Sequence, residues 1–571
     1  MRAVTGTKTL VVGLDGATFR ILDPLIIRGR CPNLARLIET GARAPLNSTT
    51  PPMTLPSWSS FLTGCTPGVH GIFDFTHRIE GEYGLEFTNS THRAVPTVHA
   101  LLSKRGVRTA CVAMPTTYPP EHNNGVMISG FDSPVATSID GRFCHPPTLY
   151  NELEAKFGGM AFADFQELEI GEGWHERALC SLLSEIERKE KIAIWLLEQE
   201  RWGLFTLLFG ESDTVSHHFW MFHDEASPRF VDNPRLKGAI EQVYEALDES
   251  LGRILEAAGA EVVMIASDHG FGPAGDYALY LNRYLEQKGW LTYKRDPYRG
   301  ANGLATGAGW VDKVKQVALE YLSADAQQSL IRALPNGLIG RIESASRYAD
   351  IDFSKSAAFS DEMNYSATIH LNRLGRDRLG VEVDVSSLIS DLLDWEVDGE
   401  RVVAKVESRE ELYSGGCVSR SADLILTLNE RGRGALSDGF SYTLLPSGRV
   451  SAGTTFRKLE GDELVGGKGR GMNGSHRQQG VLVVNGCGVR RGVEVEANMQ
   501  DCVPTLLALI GEAIPDWCDG SVIMSALDGV SPRYTESGYE WFGQQHTSDD
   551  RHRDLSDDLE IRRRLKSLGY L

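Results

Sequence analysis

Short apolar runs separated by amphipathic stretches organise the first half of the chain. Leu10 to Leu14 is the first run, closed by Asp15-Gly16, and Arg108 to Ala113, Leu204 to Phe209 and Glu261 to Ala266 repeat it. Runs this short, bounded by turn formers, predict buried strands. Between them the apolar spacing is helical. Trp174 to Glu200 is the longest such stretch, and Pro32-Asn33 opens another through Leu34 to Ile38. Strands alternating with helices predict an α/β fold, a mostly parallel central sheet covered by helices on both faces.

Residues 286–350 are rich in Gly and Ala, with a helical stretch from Val311 to Ala324 and no acid-ended strand. This segment is expected to be an inserted cap. Strand patterning returns at Ser366 to Asn372 and at Val481 to Val484, and Asp501 to Ile510 reads as a helix. The expected division is therefore 1–285 as the first part of the catalytic core, 286–350 as the cap, 351–548 as the rest of the core, and 549–571 as a charged helical tail.

Composition narrows the class. Apolar residues are 42% and charged residues 24% of 571, as in a soluble enzyme rather than a disordered or fibrous chain. A net charge of −19 argues against binding duplex nucleic acid, where affinity comes from neutralising phosphates. A small phosphorylated substrate remains compatible if metal ions supply positive charge. The nine cysteines are odd in number and form no C-x-x-C, which predicts reduced thiols and a cytoplasmic protein. A strand begins after eight residues, leaving no room for a signal peptide, and no apolar run is long enough to span a membrane.

Metal-type ligands fall at strand ends or beside them: Asp15, Asp213 with His217, and Asp268-His269-Gly270, with His476 in Gly474-Ser-His just before Val481. Each has a structural alternative. Asp15 alone suits a helix cap, Asp213 and His217 suit a side-chain pair on one helix face, and His476 suits a loop. Together, three aspartates and three histidines provide three ligands for each of two divalent ions. The N/O donor mix suits Zn²⁺, with Mn²⁺ or Fe as competitors. Two such ions about 3.5–4 Å apart clamp an in-line displacement at phosphorus. Thr54, between Pro52 and Pro56, is placed to open a helix and to act as the activated nucleophile.

In this order and spacing the motifs resemble the alkaline phosphatase superfamily, in its type I phosphodiesterase and nucleotide pyrophosphatase branch. The matching residues are Asp15, Thr54-Leu-Pro-Ser ending in Leu62-Thr63-Gly64, His70-Gly-Ile72, Asp213 with His217, Asp268-His269-Gly270, and Gly474-Ser-His476. The resemblance is read from about residue 8 to the terminal Leu568-Gly-Tyr-Leu571. It implies an alkaline-phosphatase-like core, with Asp15, Thr54, Asp268 and His269 around one ion and Asp213, His217 and His476 around the other. It also implies hydrolysis of phosphodiester or pyrophosphate bonds of a small phosphorylated substrate, such as a nucleotide, through a phospho-threonine. A phosphomonoesterase, a phosphonate hydrolase or a headgroup transferase would use the same ligands.

Two departures are visible. The Asn that several nucleotide pyrophosphatases keep after His-Gly-Ile is absent, the stretch reading Phe73-Asp74-Phe75-Thr76. The sulfatase Cys and Arg are also absent from Thr54-x-Pro-Ser-Trp58, which argues against a formylglycine sulfatase. Trp58 is a candidate to stack on a base or to pack. Lys468, Arg470 and Arg477 are candidates for a distal phosphate or for a solvated loop. His218 is either a further ligand or a packed ring.

Overall fold

The expected buried strands form and lie side by side. The computed structural model describes residues 7–79, 81–132, 141–160, 173–298, 348, 350–362, 367–432, 439–465 and 472–535. Its central sheet has ten strands, numbered here in chain order: β1 Thr9–Leu14, β2 Ala42–Asn47, β3 Thr109–Met114, β4 Gly125–Ser129, β5 Cys144–His145, β6 Leu204–Phe209, β7 Val262–Ala266, β8 Gln479–Gly486, β9 Val493–Glu494 and β10 Ala497–Asn498. The spatial order is β9-β2-β8-β7-β1-β6-β3-β4-β5, with β10 also pairing β2.

Neighbours β4, β3, β6, β1 and β7 all run parallel. Every residue of β1, β3, β6 and β7 is buried, so both faces of the sheet's centre are covered. Strand β2, farther out, alternates buried and half-buried positions. The covering helices include Trp174–Gln199 and Ala239–Ala258, which pack on each other.

Strand direction puts the chemistry on one rim. β8 is antiparallel to β7, and β2 is antiparallel to β8, so β2 runs with the central strands. The carboxyl ends of β1, β2, β6 and β7 and the amino end of β8 therefore lie along the same edge, where open α/β sheets gather ligands. Asp15, Thr54, Asp213 and Asp268 follow those carboxyl ends, and His476 precedes β8.

After β7 the chain leaves the sheet. Strand Gly270–Leu279 pairs first with Gly474–Arg477, then with Ser441–Leu444 and Phe456–Lys458. Beyond it, Ala358–Phe359, Thr368–Leu371, Leu424–Leu428 and Val403–Ser408 form a separate four-stranded sheet with its own core, including Leu285, Phe359, Ile369, Trp395 and Leu426. Within the stretch read as a strand from Ser366 to Asn372, Thr368–Leu371 belongs to this second sheet, and Ser366 lies outside the described residues. Among the described residues the chain re-enters the central sheet only at β8, so a division at 350/351 does not follow the change of sheet. The helix read at Val311 to Ala324 and the tail 549–571 lie outside the described residues. Among the described residues no helix is long and apolar enough to cross a membrane.

One ion pair joins the covering layer to the rim. Lys189 Nζ, 3% exposed, lies 2.8 Å from a carboxylate oxygen of Glu211, 4% exposed, in the first turn of helix Glu211–His223. Removing one partner strands a buried charge, so Lys189→Met is expected to cost about 3–5 kcal/mol in denaturant unfolding. A loss below about 1 kcal/mol would show that Glu211 finds other compensation.

Candidate active site

Each candidate ligand is placed by a specific backbone feature. Asp15 follows β1, its amide donating to Phe209 O (2.9 Å) and its carbonyl accepting from Ser212 Oγ (2.6 Å). Gly16 then turns with φ +64, where a Cβ would sit 2.9 Å from the Phe271 ring, and its amide donates to Asp268 Oδ1 at 3.1 Å. Thr54 is the first residue of helix Thr54–Thr63, as its proline-bracketed position predicts. Asp213 and His217 lie one turn apart on helix Glu211–His223. His476 is set by register, opposite Phe271 in the antiparallel pair and beside the strand that His269 opens.

The structure brings all seven residues together. Asp15, Thr54, Asp268 and His269 are at most 1% exposed, and Asp213, His217 and His476 are also buried. Asp213 Oδ1 lies 3.4 Å from His217 Nε2 and 3.5 Å from His476 Nε2, and those two nitrogens are 3.1 Å apart. His269 Nε2 lies 3.3 Å from Asp268 Oδ2, 3.7 Å from Asp15 Oδ1 and 3.4 Å from Thr54 Oγ1. It is 3.9 Å from Asp213 Oδ1, so it faces both groups but sits nearer the first. The His269 and His476 rings stack with centroids 3.6 Å apart.

Hydrogen bonding decides what these groups can hold. Nδ1 of His217 contacts Gly474 O (3.1 Å), that of His476 contacts Pro52 O (3.0 Å), and that of His269 contacts Gly270 O (3.2 Å). A carbonyl only accepts, so each Nδ1 carries the proton and each Nε2 presents a lone pair to the site. Two lone pairs facing each other at 3.1 Å repel unless a cation lies between them. Asp15 Oδ1 and Asp268 Oδ2 are buried with no hydrogen-bond partner. The edge of a tetrahedron with zinc-like bonds of about 2.0–2.1 Å is about 3.4 Å, close to the spacings around Asp213. The residues present therefore fit divalent metal.

The electrostatics agree. Burial, followed by the neighbouring Asp268 and Asp213 charges, raises the Asp15 carboxyl well above the usual range. Burial, with Asp213 adding to it, pushes Asp268 up to about 8. Burial drives His269 well down and His476 down, which favours neutral, ligating imidazoles. His476→Ala removes one Nε2 and is expected to weaken binding of one ion at least about 10–100-fold in chelator competition. Unchanged affinity would return His476 to the loop reading.

The secondary candidates fare differently. Trp58, a candidate for stacking on a base, is fully buried and donates from Nε1 to Asp15 Oδ2 at 3.0 Å, so no ring face is open to a ligand. Arg477 points away from the site. Its guanidinium pairs with Glu430 at 2.8 Å and donates to Pro273 O and Gly439 O, so those donors are engaged within the protein. Lys468 and Arg470 lie outside the described residues. His218 packs 5.3 Å from the Trp174 ring, and burial pushes it down to about 3.

His70 is structural. It is fully buried, takes the Ile72 amide on Nδ1 (3.1 Å), and bonds Ser60 Oγ through Nε2 (3.0 Å), bracing the Thr54 helix. At the position of the missing Asn, Asp74 Oδ1 accepts the Phe75 amide at 2.6 Å. A further group, His77, Glu86 and His92, meets on a surface hairpin. There His92 Nδ1 accepts the Asn89 amide (3.1 Å), which leaves its proton on the nitrogen a metal would need.

The converging carboxylates and imidazoles form one buried group suited to divalent metal. The type I phosphodiesterase / nucleotide pyrophosphatase family model matches residues 9–378, and the chain belongs to that family. That match takes in Asp15, Thr54, Asp213, His217, Asp268 and His269, but it ends before His476 and short of the terminus to which the resemblance was read. Among solved structures, phosphonoacetate hydrolase from Sinorhizobium meliloti 1021 is similar at 16% identity and TM-score 0.48, covering 84% of this chain and 90% of that one. Murine ectonucleotide pyrophosphatase / phosphodiesterase 5 is similar at 12% identity and TM-score 0.47, covering 92% and 100%. Its human counterpart is similar at 14% and 0.47, covering 91% and 100%.

Proposed function

We propose that this enzyme cleaves phosphodiester or pyrophosphate bonds of a small phosphorylated substrate, such as a nucleotide, with Thr54 as nucleophile and two divalent ions held by its aspartates and histidines. The observation that carries the reading is the buried Thr54 hydroxyl, 3.4 Å from His269 Nε2 at the edge of the Asp15–Asp268 group. Asp15, Asp268, His269 and Thr54 would hold one ion, and Asp213, His217 and His476 the other. Zn²⁺ suits the donors, with Mn²⁺ as a competitor. When bound, the ions would supply Lewis-acid stabilisation of charge at phosphorus and ease ionisation of the nucleophile.

The chain's own groups do the rest. As the first residue of a ten-residue helix, Thr54 presents its oxygen at the positive end of the helix dipole, a setting that favours a phosphate. Its oxygen attacks phosphorus in line. The bond to the leaving group breaks with its electron pair going to the departing oxygen, which takes up the proton released by the Thr54 hydroxyl, and Thr54 is left esterified to phosphorus. Water attacks the same phosphorus from the vacated side, and the Thr54 oxygen leaves with the proton that the water releases. Nine unpaired cysteines suit a reducing, cytoplasmic setting.

A panel of monoester, diester, pyrophosphate, phosphonate and sulfate substrates, assayed with Zn²⁺ and Mn²⁺ after chelation, tests the reading. Diester or pyrophosphate hydrolysis is expected to dominate. Turnover confined to phosphonates or monoesters, or transfer to an alcohol without hydrolysis, would replace it.

A further inference from the structure

We propose that Trp58 is a positioning residue for the metal centre: its indole N–H holds one oxygen of Asp15 and thereby aims the other at the ion beside Thr54. The inference rests on the reading of Asp15 as a metal ligand. Trp58 Nε1 donates to Asp15 Oδ2 at 3.0 Å, with both residues at most 1% exposed. The other oxygen, Oδ1, has no hydrogen-bond partner and faces His269 Nε2 at 3.7 Å. The Asp15 backbone is already held at both its amide and its carbonyl. What remains to be set is the side-chain torsion, and the indole sets it.

The ring is itself well fixed. Trp58 follows Thr54 by four residues in the same helix, so nucleophile and indole share one face and move together. Phe61 packs edge-on at 5.5 Å. On the sheet side, a Cβ at Gly13 would lie 2.8 Å from the Trp58 ring, so only glycine lets the indole lie this close beneath β1. An indole nitrogen donates and cannot ligate, so it orients the carboxylate without competing for the ion.

The test replaces Trp58 with β-(3-benzothienyl)alanine, which keeps the ring shape and substitutes sulfur for N–H, and separately makes Trp58→Phe. Zn²⁺ affinity and stoichiometry are measured by chelator competition, alongside the melting temperature of the metal-free protein. Both variants should bind one of two ions at least about 10-fold more weakly and the other as in the wild type. The metal-free benzothienyl variant should melt with the wild type. Wild-type affinity for both ions in the benzothienyl variant overturns the inference, and so does equal weakening of both ions with a lowered melting temperature, which marks a purely structural role. A wild-type protein that binds no metal sinks the metal reading itself, a result distinct from either.

Discussion

Thr54→Ala is expected to reduce turnover by at least about 10³-fold, the scale on which removal of a catalytic nucleophile acts. Fold and most metal binding should survive. Six other ligands remain, and although Thr54 is fully buried, the change removes only a methyl and a hydroxyl at a helix start, worth about 1 kcal/mol. Thr54→Ser keeps the hydroxyl and should retain measurable activity. Rapid quench should trap a phosphorylated peptide containing Thr54 in the wild type and none in the alanine variant. Full activity in Thr54→Ala would make water the direct nucleophile and end the double-displacement scheme.

Chelation is expected to abolish activity, and Zn²⁺ or Mn²⁺ to restore it. Elemental analysis of the restored protein should find about two ions per chain, the count set by two groups of three protein ligands. Because the ions bind only the folded site, stability should rise with them, by about 2.7 kcal/mol for each ion at 100 times its Kd. His269→Ala should be among the costliest ligand changes. Its Nε2 is within 3.4 Å of Asp268 Oδ2 and Thr54 Oγ1 and within 3.9 Å of Asp15 Oδ1 and Asp213 Oδ1. A loss of at least about 10²-fold in turnover is expected, with the ion beside Thr54 the weaker in competition. Activity that persists after chelation, with no metal found, would defeat the mechanism.

The ligands were legible in the sequence because each sits at a place that local chemistry marks. An aspartate ending an apolar run, a threonine between prolines, and Asp-x-x-x-His at helical spacing each allow a purely structural reading, and it is their joint occurrence in order that singles them out. His476 was the hardest of the seven. It lies far along the chain, past the family match, and only the pairing of Gly474–Arg477 with Gly270–Pro273 brings it beside His269.

Side-chain direction was not legible. Trp58 and Arg477 neighbour site residues in the sequence, yet the indole turns under the sheet to Asp15, and strand alternation sends the guanidinium to the face opposite His476. The i,i+4 spacing of Thr54 and Trp58 was a usable signal, since it puts both on one helix face, but it does not say which partner that face meets.

Local pattern thus determined the class of fold and the strands whose ends carry the candidate residues, because burial and periodicity act over a few residues, while the order of the motifs along the chain singled those residues out. Tertiary structure decided the rest. It ordered the strands so that four carboxyl ends and one amino end share a rim, it assigned Thr368–Leu371 to a second sheet, and it turned three imidazoles so that their Nε2 lone pairs converge. Those outcomes depend on contacts between residues hundreds of positions apart, as between His217 and His476 or Asp15 and Asp268, and no local window contains both partners.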